Sequence, residues 1–544
     1  MLGMMQDQPL LISRIISHAA KYHGDTELVS RTVEGPIHRY GYADAERGSK
    51  RVARALKRLG IAPGDRVGTL AWNTYRHFEL YYGISGIGAV CHTINPRLYD
   101  DQLVYIINHA HDRILFVEEG FLPLIDRLWP RLHNDLGIVT MTATVPDTPV
   151  PVVASFDELV GTESAEFDWP DFDERMGAAL CYTSGTTGRP KGALYTHRST
   201  VIHAYAASTP GAIPMGVDSV CCPAVPMFHA CAWSVPYVAP LNGAKLVLPG
   251  NRLDGASLYE LFEAEKVTYA LGVPTIWLGF EAHLNATGLR CTTLKSVLSG
   301  GSAVPPSMIE AFDRHGIDVI QGWGMTEMSP LGTVAVLKAK HQNLPREERL
   351  KYKAKQGRPV FGVEFKLVDD DGNELPHDGE AVGELLVRGP WIVSGYFEDP
   401  EATAAAVEPD GWFHTGDVAT LDPDGYLTIR DRSKDVIKSG GEWISSIDLE
   451  VAAMAHEDVA EAAVVAIPDR KWAERPLLIV TARPGRTPDR RALTAFLAER
   501  FPRWMLPDDV VTLAELPHTA TGKVMKTKLR ELYADHKVTP EALS

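Results

Sequence analysis

The chain has 544 residues, with 54 Lys plus Arg against 70 Asp plus Glu, for a formal net charge of −16 at pH 7. That length allows roughly two to four folding units, each able to bury a core, and the negative sign argues against a nucleic-acid backbone or an anionic membrane as the main partner. The six cysteines show no C-x-x-C spacing, which argues against a disulfide framework or a zinc site and for reduced thiols in a cytoplasmic protein.

Near the N-terminus, Leu10, Leu11, Ile12, Ile15 and Ile16 are interrupted by Arg14, His18 and Lys21. The pattern predicts an amphipathic helix lying on the body of the protein, too short and too charged for a signal or a span. No other apolar run approaches the roughly 18 residues of a membrane helix. Over 49–59 the apolar residues Val52, Leu56 and Leu59 fall at helical spacing, and Gly60 and Pro63-Gly64-Asp65 then turn the chain into a strand-like run at 66–71. Similar units follow, with small residues over 82–90 before a strand at 91–94 and another short apolar strand at 113–117. Helices alternating with short buried strands predict a layered α/β fold.

The Pro-rich, acidic stretch 141–173 reads as a surface connection between subdomains, and the polar stretch 338–355 as an exposed excursion. Asp422-Pro423-Asp424-Gly425 predicts a hairpin turn, and the polar run Asp431-Arg432-Ser433-Lys434-Asp435 marks a boundary. The residues beyond it suffice for a small α/β unit. The expected organisation is a large, multi-subdomain N-terminal domain over 1–432 and a small α+β domain over 433–544.

Chemistry concentrates first at Tyr182-Thr183-Ser184-Gly185-Thr186-Thr187-Gly188-Arg189-Pro190-Lys191-Gly192, directly after the apolar run 178–181. Glycines let backbone N–H groups curl around an anion, hydroxyls add donors and Lys191 adds charge, a combination suited to a triphosphate. The string is not the Walker-type loop, because no Ser or Thr follows Lys191. Further stations follow in order: Gly300-Gly301-Ser302-Ala303, Gln321-Gly322-Trp323-Gly324-Met325-Thr326-Glu327, Gly416-Asp417, Arg432, Lys434, Lys438 with Gly440-Gly441-Glu442-Trp443, and Thr521-Gly522-Lys523.

In content and order these stations resemble the adenylate-forming superfamily, which contains acyl-CoA synthetases, beetle luciferases and the adenylation domains of peptide synthetases. The resemblance implies an acid–CoA ligase that forms an acyl-adenylate from ATP and then acylates coenzyme A. It implies a phosphate loop over Thr183, Ser184, Gly185, Thr186, Thr187, Gly188 and Lys191. It implies nucleotide contacts from Gly301, Ser302, Ala303, Gln321, Gly322 and Trp323, with Thr326 at the α-phosphate. It implies Glu327 and Thr183 as holders of Mg²⁺, Asp417 and Arg432 at the ribose or phosphate, and Lys523 as the lysine that bridges acid and phosphate. Lys434 aligns with a domain hinge, and Lys438, Gly440, Gly441 and Trp443 with a loop that admits coenzyme A. For Gly440-Gly441 a plain hairpin turn stays open.

The acyl wall is expected from the segment Pro226-Met227-Phe228-His229-Ala230-Cys231-Ala232-Trp233 together with Gly300 and Gly324. Phe228 and Trp233 make it apolar, suited to a small or medium aliphatic acid. His229 is open between a substrate contact and a core histidine. Within the ligases the chain resembles the branch of medium- and long-chain fatty acid ligases and bacterial 3-methylmercaptopropionate–CoA ligases, a branch in which homodimers are common. The apolar wall speaks against an amino-acid-activating domain, nothing speaks for a luciferase substrate, and a silent nucleotide-binding regulator is disfavoured by the retained Thr183, Glu327, Asp417, Lys438 and Lys523. One departure from the family is Ala473-Glu474, where Gly-Glu is usual.

Overall fold

A computed structural model describes residues 3–183, 189–439, 442–518 and 523–536. Two large sheets build the body. One has seven strands, with Arg66–Leu70 at its centre between Val90–Thr93 and Asp112–Val117, all parallel, and Gly177–Tyr182 further along. Its last strand, Gly192–Thr196, runs antiparallel to Gly177–Tyr182, so the phosphate-loop segment 183–191 connects the edge strand to its neighbour. The other has nine strands, including Val220–Pro223, Tyr269–Gly272, Ser296–Ser299 and Asp318–Gly324 in parallel succession. Parallel strands buried on both faces need helices on each side, which is why these strands read as short apolar runs.

The N-terminal helix Ile12–Tyr22 is amphipathic and buries Ile12, Ile15, Ile16 and Ala19 against the body, as its spacing predicts. The helix expected around 49–59 begins earlier, spanning Tyr42–Arg58, with Val52 and Leu56 buried. Two segments are more structured than expected. The stretch 141–173 contains an edge strand, Val152–Ser155, paired with Gly137–Thr140, and a helix, Phe156–Gly161, capped by Ser155 and Glu158. The stretch 338–355 holds two short helices, with His341 buried and stacked on Tyr352.

The two large sheets are stitched by one asparagine. Asn73, just past Arg66–Leu70, donates to the carbonyls of Pro223 (2.9 Å) and Val225 (2.8 Å) and accepts from the Met227 N–H (2.7 Å). A buried amide so fully engaged fixes the path of the acyl-wall segment, and losing it would leave several backbone groups unpaired at about 1–3 kcal/mol each.

A four-stranded antiparallel sheet follows, containing Phe413–Leu421 and Leu427–Arg432 joined through the expected turn, where Gly425 takes φ +82°. The C-terminal part is a five-stranded sheet built on the long hairpin Val459–Asp469 and Ala473–Ala482. Helix Ser446–Met454 packs on that hairpin, and Leu493 and Leu497 of helix Arg490–Ala498 join its core. This is the α/β body with a smaller α+β part that the sequence predicts. At Ala473, where the chain departs from the family's usual glycine, the backbone sits at φ +67°, a left-handed position that costs an alanine roughly 1–2 kcal/mol and a glycine little. Ala473→Gly should therefore stabilise the C-terminal part by about 0.5–1 kcal/mol after the unfolded-state entropy of glycine is subtracted. Calorimetry would register this as a rise of a few degrees in its unfolding midpoint, and a fall would show that the turn is not strained.

Candidate active site

The carboxyl ends of the strands in the nine-stranded sheet, the mouth of the phosphate-loop segment and the C-terminal part enclose one cavity of about 620 Å³. Strand ends are where loops diverge and leave a crevice, the general location of ligand sites in α/β sheets. Although the chain is acidic overall, the described part of this wall carries the cations Arg97, Arg189, Lys191, Arg432, Lys434, Lys523 and Lys526 against the carboxylates Glu327, Glu384 and Asp435. A locally positive cavity in an acidic protein selects an anionic ligand.

Close backbone packing shapes the floor. A Cβ on Gly324 would lie 1.6 Å from the Pro330 carbonyl oxygen, and one on Gly300 would lie 2.7 Å from that of Gly322 and 3.4 Å from the Trp233 ring. Only glycine fits either position. Gly300, Gly301, Ser302, Gly322, Trp323, Gly324, Thr326 and Glu327 all line the cavity, whereas Ala303 and the buried Gln321 do not.

Glu327 is buried, its Oε1 accepts from the Tyr396 hydroxyl at 2.8 Å, and burial pushes its carboxyl pKa up. Lys191 lies 4.8 Å over the ring of the same tyrosine. At the mouth of the phosphate-loop segment the Thr183 N–H donates to the Lys191 carbonyl (2.9 Å), and the Lys191 N–H to Thr183 Oγ1 (3.1 Å). Ser184, Gly185, Thr186, Thr187 and Gly188 lie outside the described residues. Asp417 sits behind the lining, buried, with Oδ1 2.8 Å from Arg432 Nε and Oδ2 accepting from the Trp323 indole N–H at 3.0 Å. Burial raises its pKa, and Arg432, the indole and Lys523 oppose that rise.

Lys523 comes from the C-terminal part and faces this cavity. Its side chain keeps solvent-exposed surface because it faces the open cavity, yet protein surrounds it closely enough to lower its pKa to about 8. Desolvation dominates that shift; Arg432 and Lys434 push the same way, and Asp417 and Glu327 oppose them. Lys438 and Trp443, by contrast, are not in the cavity lining: Lys438 Nζ lies 5.4 Å over the Trp443 ring and the Lys438 N–H donates to Glu474. Gly440 and Gly441 lie outside the described residues.

The acyl-wall segment takes an unusual path. Ala230, Cys231, Ala232, Trp233 and Ser234 all have positive φ, between 39° and 67°, forming a left-handed turn of non-glycine residues. At roughly 1–2 kcal/mol each, such a turn persists only where its surroundings hold it. Here Tyr81 donates to the Met227 carbonyl and Tyr82 to that of Pro236 (2.7 Å), gripping the segment on both sides. The path directs Trp233 and His229 to the cavity, with Ile213, Val225, Phe228, Val273 and Leu331 completing an apolar wall. Burial, with the nearby Lys523 charge, lowers the His229 pKa to about 4, so the imidazole is neutral at physiological pH.

Sequence reasoning missed Tyr396, whose hydroxyl meets a carboxylate 69 residues away; an isolated tyrosine carries no local signal.

Family models describe the same arrangement. Residues 16–397 match the AMP-binding enzyme model and 448–523 the AMP-binding enzyme C-terminal domain model. The chain belongs to the AMP-binding enzyme family. It is 51% identical to a 3-methylmercaptopropionyl-CoA ligase of Ruegeria lacuscaerulensis, covering 98% of this chain and 99% of that one. It is 45% identical to a medium-chain-fatty-acid–CoA ligase of Ectopseudomonas oleovorans, covering 98% of each. A crystal structure of an anthranilate–CoA ligase in complex with anthranoyl-AMP superimposes with a TM-score of 0.85 at 25% identity, over 97% of this chain and 99% of that one. The chain is thus an ATP-dependent, AMP-forming acid–CoA ligase.

Replacing Tyr396 by Phe should strip the buried Glu327 carboxylate of its hydroxyl donor and cost about 1–3 kcal/mol of stability. An unchanged unfolding midpoint would show that water replaces the hydroxyl at no cost.

Proposed function

We propose that the preferred acid is 3-methylmercaptopropionate or a short- to medium-chain fatty acid of similar size, activated in the cavity between a large domain, 1–432, and a small one, 433–544. The gap between the two family models contains this boundary, which supports it. The observation that carries the reading is the convergence of Lys523, from the C-terminal part, on the cavity shared by Thr183, Lys191, Thr326, Glu327 and Arg432.

In the first half-reaction a carboxylate oxygen of the acid bonds to the α-phosphorus of ATP as the bond to pyrophosphate breaks. The Lys523 ammonium stabilises charge on both partners, Thr326 contacts the α-phosphate, and the 183–191 loop holds the departing pyrophosphate. Asp417 and Arg432 fix the ribose, and Gly301, Ser302 and Trp323 flank the adenine. The neutral His229 imidazole orients the carboxylate by hydrogen bonding, not by charge.

Glu327 fits a magnesium ion carried with the triphosphate: it is a buried carboxylate in no ion pair among the described residues, aimed at the cavity. No cluster of three or more His, Cys, Asp or Glu suited to a metal occurs among those residues. A site in which Glu327 and Thr183 supply only part of the shell and phosphates supply the rest is normal for Mg²⁺, which when bound neutralises phosphate charge.

In the second half-reaction the coenzyme A thiol attacks the acyl carbon, releasing AMP and a proton. Lys438 and Trp443 stand away from the cavity in the present arrangement, and the loop they flank, with Gly440 and Gly441, would admit coenzyme A after rotation about Lys434. The enzyme is read as a cytoplasmic homodimer; its six cysteines are free thiols and no described helix is long and apolar enough to cross a membrane.

A thioether differs little from a methylene in size, and discrimination per methylene is only about 1–3 kcal/mol. CoA-dependent AMP release should therefore peak in kcat/KM at 3-methylmercaptopropionate and butyrate, whereas a continuous rise toward palmitate would establish a long-chain ligase. Lys523 has an independent signature. With its pKa near 8 in the free enzyme, the ammonium is lost as pH rises through that value. ATP–pyrophosphate exchange without coenzyme A should thus lose kcat/KM above about pH 8, while kcat, measured with the phosphates holding the proton, persists to higher pH. Lys523→Ala should abolish exchange; a wild-type rate would remove this residue from the mechanism.

A further inference from the structure

Lys526 stands three residues after Lys523, at the start of helix Lys526–Leu532. A cation at that end of a helix is disfavoured by the backbone dipole, so helix stability does not account for it. Its side chain is largely buried, with Nζ 2.6 Å from Glu450 Oε1 and donating to Ser446 Oγ at 2.5 Å. Both partners belong to the segment around helix Ser446–Met454, and Glu450 Oε1 also accepts from the Val464 N–H at 2.7 Å, which ties it to the central hairpin. The Ser446 hydroxyl, having accepted from Lys526, donates to Asp431 Oδ2 at 2.5 Å, and the Ser446 N–H donates to the same oxygen at 2.6 Å.

Asp431 lies on the other side of the proposed boundary, in strand Leu427–Arg432, immediately before the arginine that grips Asp417. The two chain segments are therefore joined by a path, buried at its crossing: Asp417, Arg432, Asp431, Ser446, Lys526 and, three residues back, Lys523. Asp431 and Ser446 are 1% and 0% exposed, so water does not compete for these bonds. Upstream, the lysine segment is held by the Met525 N–H donating to the Pro517 carbonyl at 2.7 Å and by the bridge between His518 and Val524. Those contacts close the base of the segment within the C-terminal part, and the Lys526 path ties it to the large domain.

We propose that Lys526 is a positioning residue for the adenylation step: through Ser446 and Asp431 it holds Lys523 in the cavity, in the domain arrangement that forms the acyl-adenylate. The inference rests on the role given to Lys523. It predicts a dependence confined to one half-reaction, because the path crosses the boundary at Asp431–Ser446 and must open when the small domain turns. A placement error of about 1 Å at a reacting group costs on the order of 100-fold.

The experiment compares ATP–pyrophosphate exchange with the conversion of supplied acyl-AMP and coenzyme A to thioester. Lys526→Met should lower the exchange kcat by about 10- to 100-fold while KM for ATP and the thioester-forming rate stay within about threefold. Lys526→Arg, which keeps the charge, should recover most of the exchange. Ser446→Ala keeps the Lys526–Glu450 pair and the backbone N–H bond to Asp431 and removes only the hydroxyl link between Lys526 and Asp431; it should show the same split at smaller size, and it decides the matter where Lys526→Met does not fold. Equal loss of both half-reactions, or no loss of exchange, would overturn the proposal. Lys523→Ala run in parallel separates the two readings: full exchange in that variant removes the role of Lys523 itself, whereas its loss beside a normal Lys526→Met removes only the positioning.

Discussion

The buried carboxylate of Asp417 is the joint on which the nucleotide end of the cavity depends. Its two oxygens are taken by Trp323, from the nine-stranded sheet, and by Arg432, at the end of the four-stranded sheet, next to the boundary with the C-terminal part. Two sheets of the body meet at one group that is too deeply buried to be left charged and unpaired. Removing one member of a buried pair costs about 3–5 kcal/mol in general, a figure to be discounted here because Arg432 is about two-fifths exposed. The geometry of the pair matters more than its net energy: it fixes where Arg432 stands, and Arg432 sets both the cavity wall and the first residue of the linker.

The acyl end is held by different means. Five consecutive left-handed residues would not survive in isolation, yet they are the route by which Trp233 reaches the cavity from a segment whose other side chains, Met227, Cys231 and Ala232, are core. Asn73, Tyr81 and Tyr82 hold that route from the seven-stranded sheet and its helix Tyr75–Ser85. Strain is thus concentrated beside the substrate and opposed by buried hydrogen bonds behind it, a distribution that gives the wall a fixed shape. A fixed apolar wall discriminates by volume, so acids of nearly equal size are treated nearly alike.

What was legible in the sequence was what is local. The apolar run before Thr183, the turn at 422–425 and the glycines at 300 and 324 each announce themselves within a few residues, because the physical demand and the residue that meets it are adjacent. The edge strand Val152–Ser155 was hidden by Pro149 and Pro151, which an edge position tolerates and a central strand would not. Asn73, Tyr396 and Lys526 were hidden for another reason: their partners lie 154, 69 and 80 residues away, and a single asparagine, tyrosine or lysine has no pattern to read. Ala473 was visible as a departure from the family, but only its φ of +67° gives the departure a physical meaning.

The charges around Lys523 bear on how a single cavity serves two successive reactions. Arg432 and Lys434 repel its ammonium, Asp417 and Glu327 attract it, and desolvation is the largest influence. An anionic ligand adds to the attraction. With a triphosphate in place, the anionic oxygens favour the ammonium inside the cavity. After pyrophosphate departs, most of that negative charge is gone, while Arg432, Lys434 and the desolvation cost remain. The electrostatic reason for the lysine to stay therefore weakens at the step after which it must withdraw, and the contacts that oppose its movement include the bond of the neighbouring Lys526 to Ser446 and that of Ser446 to Asp431.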